Sequence, residues 1–131
     1  KENPFEYAPV IFSYTRAQAI EDGVLVDLTA WDKETGFKVP VACTSTVWQG
    51  YIVPPPGTES LGQSERGRAH DVLWMLFVAI KASKNARRDQ ILYRVLFLQA
   101  PGKTEEVTLK AHFGPGDDGE PVVTIMQPDE D

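Results

Sequence analysis

The chain has 131 residues, 42% of them hydrophobic and 24% charged. That is a single-domain length and an ordinary globular mix, which excludes wholesale disorder and fibrous repeats. A single cysteine, Cys43, excludes an intrachain disulfide and a cysteine-rich zinc site. The net charge of −6 is unevenly spread: residues 65–94 carry a net +4, and residues 117–131 carry six acids and no base. Such asymmetry marks either a charged partner or a solvated face with a frayed acidic end.

Val10-Ile11-Phe12-Ser13-Tyr14 reads as a short strand or buried entry segment. Thr15 and Gln18 have capping-box spacing and open a short helix that Gly23 stops. Val24 to Leu28 is the next strand. Thr29 caps a second short helix over Ala30 to Thr35, followed by Gly36. Phe37 to Val41 alternates like a strand, but Pro40 lacks an N–H and demotes the segment to an edge or an extended loop. Thr44 or Ser45 starts a third helix whose Val47, Trp48, Tyr51 and Ile52 form one apolar stripe, and Pro54-Pro55-Pro56-Gly57 ends it.

Ser60 and Gln63 form a second capping-box match and open the dominant element, a helix over 61–83. Its second half, Val72 to Ile80, is apolar all round and is expected to be buried on most sides. Its first half carries Glu65, Arg66, Arg68, His70 and Asp71, which should project towards solvent. Lys84 to Gln90 is a basic connection. Ile91–Leu98, Val107–Ala111 and Pro121–Met126 read as three strands joined by turns at Ala100-Pro101-Gly102-Lys103 and at Gly114 to Gly119. The expected fold is α+β: a central buried helix packed on a three-stranded antiparallel C-terminal meander, with short helices and strands in the N-terminal half. Residues 1–126 form one domain and 127–131 an acidic tail.

The catalytic repertoire is thin. No His or Cys pair has metal-ligand spacing, and Asp117-Asp118-Gly119-Glu120 suits a hairpin turn better than a calcium loop. Cys43 follows Val41-Ala42 and reads as a small buried residue. Gly114-Pro115-Gly116 opens no helix, so no phosphate cradle forms. No catalytic residue, metal or cofactor is assigned. The best polar feature is the cluster of Arg66, Arg68, His70 and Asp71. Arg66 and His70 lie four apart and could grip a phosphate or carboxylate, while Arg68 and Asp71 lie three apart and could pair with each other. The basic stretch 81–94, with Lys84, Arg87 and Arg88, is the second candidate binding region. An acidic chain argues against nucleic acid as its target, and the acidic excess is too mild for a nucleic-acid mimic.

The longest fully apolar run spans nine residues, Val72 to Ile80, far below the ~20 of a spanning helix. Residues 1–7 lack the apolar core of a signal peptide. A lone thiol suits a reducing cytoplasm.

Four runs resemble one family: Val10 to Asp27; Gly36-Phe37-Lys38-Val39-Pro40-Val41; Leu61 to Arg68 with His70 to Leu76; and Gly114 to Pro121. It is a family of small bacterial proteins classed only as a domain of unknown function, whose members sit on plasmids, integrated elements and phages. The resemblance covers nearly the whole chain. It implies an accessory protein of a mobile element in the bacterial cytoplasm, and carries over no site residues.

Three functional readings follow. The first is a non-enzymatic interaction protein of a mobile element, acting against a host defence or restriction system, with a protein as partner. The second is an anion- or ligand-binding protein or enzyme using the Arg66/Arg68/His70 helix face. The third is a weak nucleic-acid binder through 81–94. A contiguous apolar or acidic surface patch favours the first. A pocket gathering Arg68, His70 and distant acids favours the second, and salt-dependent DNA retention the third. The oligomeric state is not legible in the sequence.

Overall fold

A computed structural model describes residues 14–31, 35–83 and 89–130. The strand read over 10–14, apart from Tyr14, lies outside them, as do residues 32–34 of the second short helix and most of the 84–90 connection.

Helix α1, Arg16–Glu21, begins as the capping box demands. Thr15 Oγ1 accepts from the Gln18 N–H at 3.0 Å, and Gln18 Oε1 accepts from the Thr15 N–H at 3.0 Å. It ends in a Schellman turn: Gly23 at φ 80° donates to the Ile20 carbonyl, and Val24 to that of Ala19. Strand β1, Leu25–Asp27, follows, then a 3-10 turn, Thr29–Trp31, where a longer helix was expected.

Strand β2 is Val41–Thr44. Pro40 does not make it an edge: it sits at the strand's entrance, where its carbonyl accepts from the Val123 N–H at 2.9 Å, and β2 runs inside the sheet. Thr44 Oγ1 caps α2, Ser45–Val47, by accepting from the Val47 N–H. The helix then widens into a π-turn, Trp48–Ile52.

The long helix α3 is Glu65–Ala82. It starts four residues later than its expected boundary at 61. Glu59–Leu61 forms a 3-10 turn that closes at Gly62 with φ 88°, a left-handed conformation that side-chain-bearing residues resist. The Ser60 capping box is therefore not realised. Ser64 caps instead, its Oγ accepting from the Gly67 N–H at 3.0 Å.

The three C-terminal strands form as expected, the first two running longer: β3, Gln90–Ala100; β4, Lys103–Pro115; and β5, Pro121–Met126, at its expected bounds. They make an antiparallel meander, and the N-terminal strands extend it. The five-stranded order is β1-β2-β5-β4-β3, with β2 parallel to β5. The class is α+β.

Helix α3 covers one face of the sheet. Its Ala69, Val72, Leu73 and Leu76 are fully buried, in one core with Val41, Cys43, Val95, Phe97, Leu109 and Ile125. The expectation that the second half of α3 is buried on most sides is corrected. One layer covers one flank only, so Trp74, Met75 and Val78 are exposed by about 40% (44%, 38% and 40%).

Helix α1 is tied to the sheet's β5 side. Arg16 donates through Nη1 to Thr124 Oγ1 at 2.6 Å and through Nη2 to the Val123 carbonyl at 2.8 Å. From the β4–β5 hairpin, Asp117 accepts the N–H groups of Arg16 and Ala17, at 2.7 and 3.0 Å. A carboxylate at the first helical turn satisfies orphan donors and the positive end of the dipole. These bonds hold the Asp117 carboxyl below its ordinary range. The acidic end is also seated. Glu130 Oε2 accepts from Thr44 Oγ1 and the Gln127 N–H, and its carbonyl accepts from Lys110 Nζ at 2.6 Å.

Two outcomes follow. Leu76→Ala should destabilise the domain by about 2–5 kcal/mol in urea unfolding, as buried leucine truncations do. Asp117 has a depressed folded-state pKa, so its contribution is present above the unfolded value of 3.8 and is lost as pH falls through the folded one. Asp117→Asn should lower the melting temperature at pH 7 and flatten the acid limb of a stability-against-pH curve.

Candidate interaction site on helix α3

The polar start of α3 divides into one structural residue and several surface ones. Arg68 was expected in solvent and is 2% exposed. Its guanidinium donates from Nε to the Tyr51 carbonyl (2.6 Å), from Nη1 to Gln63 Oε1 and the Leu98 carbonyl (2.8 Å each), and from Nη2 to Gln99 Oε1 (2.8 Å). Its Cζ lies 4.8 Å from the centre of the Phe97 ring, on which Tyr51 also stacks at 5.4 Å. The i,i+3 pairing with Asp71 does not form, because four neutral oxygens take the donors first. Burial lowers the Arg68 pKa from its ordinary value, and the charge of Asp71 opposes that shift.

Arg66, His70 and Asp71 remain at the surface or half-buried. With Gly62, Gln63, Ser64, Gly67 and Arg68 they line a shallow groove of about 510 Å³. His70 Nδ1 lies 3.9 Å from Asp71 Oδ1, an ion pair only when the ring is protonated. Desolvation raises the Asp71 carboxyl above its usual range, while His70 and Arg68 pull it back. All these residues belong to α3 and the turn before it, so the groove gathers no acid from a distant element. Lys84, Arg87 and Arg88 lie outside the described residues.

Cys43 is fully buried, and desolvation pushes its thiol up to about 12. A thiol so raised carries almost no thiolate at neutral pH. Among the described residues no three His, Cys, Asp or Glu side chains gather to hold a metal ion, and no helix is long and apolar enough to cross a membrane.

The feature that sequence reasoning misplaced is the outer face of α3. His70, Trp74 and Phe77 form a ladder of rings: His70 to Trp74 at 6.4 Å and 6°, Trp74 to Phe77 at 5.6 Å and 21°. Phe37 meets Phe77 edge-on at 6.0 Å. Beyond it lies an apolar cavity of about 330 Å³, lined by Phe37, Val39, Phe77, Ile80, Phe113 and Val122, with Lys38 and Lys81 also in its wall. The Lys81 ammonium sits 5.4 Å from the Phe77 ring centre. A continuous aromatic track thus leads from the polar start of α3 into an apolar pocket flanked by two cations. The spacing 70, 74, 77, 81 on one helix face was legible in the sequence. The absence of a second covering layer was not.

Arg68→Ala should cost at least about 3 kcal/mol in chemical denaturation, because it strands buried carbonyl and amide acceptors. Arg66→Ala on the same helix should stay within about 0.5 kcal/mol of the parent.

The chain belongs to a family of unknown function (DUF6573), which spans residues 1–131. No curated protein and no solved structure matches it.

Proposed function

We propose that this member of a family of unknown function is a non-enzymatic interaction domain that captures a protein partner on the outer face of α3. The observation that carries the reading is the aromatic track His70–Trp74–Phe77, with Trp74 exposed at its centre, running into the apolar pocket. An exposed Trp74 stacked on half-buried rings beside an apolar pocket is the composition of an interface core, not of ordinary surface. The partner's chemistry follows from the pocket. Its wall of Phe37, Val39, Phe77 and Ile80 fits a large apolar side chain, and Lys38 and Lys81 suit a carboxylate beside it. The partner therefore presents a leucine or aromatic anchor within a residue or two of an aspartate or glutamate.

The sequence resemblance to proteins of plasmids, integrated elements and phages supports the wider setting. In that setting the chain is an accessory protein of a bacterial mobile element, working in the cytoplasm against a host defence or restriction component. The anion-binding alternative has less behind it. Four of the five Arg68 N–H groups are spent inside the protein, leaving Arg66 and His70 on a shallow groove.

Selection of random displayed peptides against the folded domain tests the reading. Enriched peptides should pair a large apolar residue with a nearby acid. Trp74→Ser should weaken their binding by about thirtyfold, the scale of an aromatic hot spot, and Lys81→Glu should weaken it and reverse its salt dependence. Enrichment of no such pattern, or binding indifferent to both substitutions, would sink the proposal.

A further inference from the structure

Among the described residues, strand β3 is an edge of the sheet, with β4 on one side only. Its register runs from Gln90↔His112 to Leu98↔Thr104. Just before it, the Phe113 N–H donates to the Asp89 carbonyl at 2.8 Å. Antiparallel pairs alternate, so the residues that exchange hydrogen bonds with β4 are Ile91, Tyr93, Val95 and Phe97. The N–H and C=O groups of Gln90, Leu92, Arg94 and Leu96 turn the other way, to the open side.

The side chains alternate in the same phase. Tyr93, Val95 and Phe97 are buried beneath α3, and the Tyr93 hydroxyl donates to the Val72 carbonyl at 3.1 Å. Leu92 and Leu96 stand on the opposite face, 58% and 62% exposed, the two most exposed large apolar side chains among the described residues. The unpaired main-chain groups and the uncovered leucines therefore belong to the same residues.

Proteins usually guard such an edge with proline, an inward charge, a short strand or a bulge. Here the strand has 11 residues, contains no proline, and turns no charge inward. Its register shift falls only at Leu98/Ala100, the end where Arg68 already takes the Leu98 carbonyl. Between the leucines stands Arg94, 3.7 Å from Glu106, with both side chains mostly in solvent. An exposed pair of this kind is weak and exchangeable.

We propose that the β3 edge takes up an extended segment of another protein as a sixth strand, read as apolar–x–acidic–x–apolar. The main chain would supply the pairing, as in other strand-addition complexes. Apolar side chains would cover Leu92 and Leu96, and the central carboxylate would meet Arg94. A second copy of this chain fits less well. Two-fold pairing that sets Leu92 against Leu96 of the copy also sets Arg94 against Arg94, and like charges directly opposite are unfavourable. This site uses the β3 edge and the sheet's other face, so it stands apart from the α3 track.

The probe is a capped nine-residue peptide of threonine with valine, glutamate and valine at alternate central positions. Binding is followed by fluorescence anisotropy, and amide exchange is read by NMR. The expected result is binding with slowed exchange at Leu92, Arg94 and Leu96. Lysine in place of the peptide's glutamate should weaken binding at least tenfold. Arg94→Glu in the domain should restore the lysine peptide and reject the original, a swap that no unfolding artefact produces. Trp74→Ser should leave this binding unchanged, so failure here and failure of the α3 proposal are separable. Absence of exchange protection, or protection with no charge preference, overturns the proposal. So does self-association in sedimentation that Leu96→Lys abolishes, because the occupant is then a second copy.

Discussion

The Arg68 guanidinium is the constraint on which the arrangement of this fold depends. It joins three segments: the π-turn through Tyr51, the turn before α3 through Gln63, and the end of β3 through Leu98, Gln99 and the Phe97 ring. Among the described residues no carboxylate balances it at hydrogen-bond distance. A planar, weakly hydrated cation can be held by neutral oxygens when nearly every donor is satisfied, and charge-assisted bonds offset much of the desolvation cost. The geometry matters as much as the energy. Tyr51 lies one residue from the end of the π-turn, where carbonyls have no partner within the helix, and that carbonyl accepts from the Nε of Arg68. The late start of α3 serves the same purpose, since Gln63 stays outside the helix and lends its side-chain oxygen to Arg68.

Much of the framework was legible from local chemistry. Thr15 with Gln18, Gly23, and the alternation in β3, β4 and β5 each act within a few residues, and each performs as its type predicts. Legibility ended where distant segments decide. Pro40 allowed an edge or an extended loop: residues 37–40 are the loop, but β2 beyond them lies inside the sheet because β5, some 80 residues on, pairs with it. Arg68 looked like one more solvent-facing helix charge, and its acceptors come from three other segments. The run Val72 to Ile80 looked fully buried because hydrophobicity alone cannot count covering layers. Asp117 read correctly as a turn residue, but its capping of α1 joins positions about 100 residues apart.

The charge map also looks different once folded. Much of the acid-rich end is spent internally: Asp117 holds the start of α1, and Glu130 is held by Thr44, Gln127 and Lys110. Other acids, such as Glu21, Glu59, Glu65 and Glu105, stay exposed, but cations stand beside the pocket, Lys38 and Lys81, and between the two leucines, Arg94. An acidic protein thus shows cationic and apolar features together on the outer face of α3 and along β3.

The parallel pairing of β2 with β5 sets a schedule for how the molecule comes into being. The first half of the chain holds a three-residue β1 and a four-residue β2, a ribbon too small to persist alone in water. Among the described residues its only other sheet neighbour is β5. During synthesis the emerging amino-terminal segments must wait, apolar residues uncovered, until β5 has left the ribosome. Closing so wide a loop is slow, because its entropy is lost before the contacts are gained. Folding of this domain is therefore coupled to the synthesis of β5, and the interval before it is when the nascent chain is most open to chaperones and proteases.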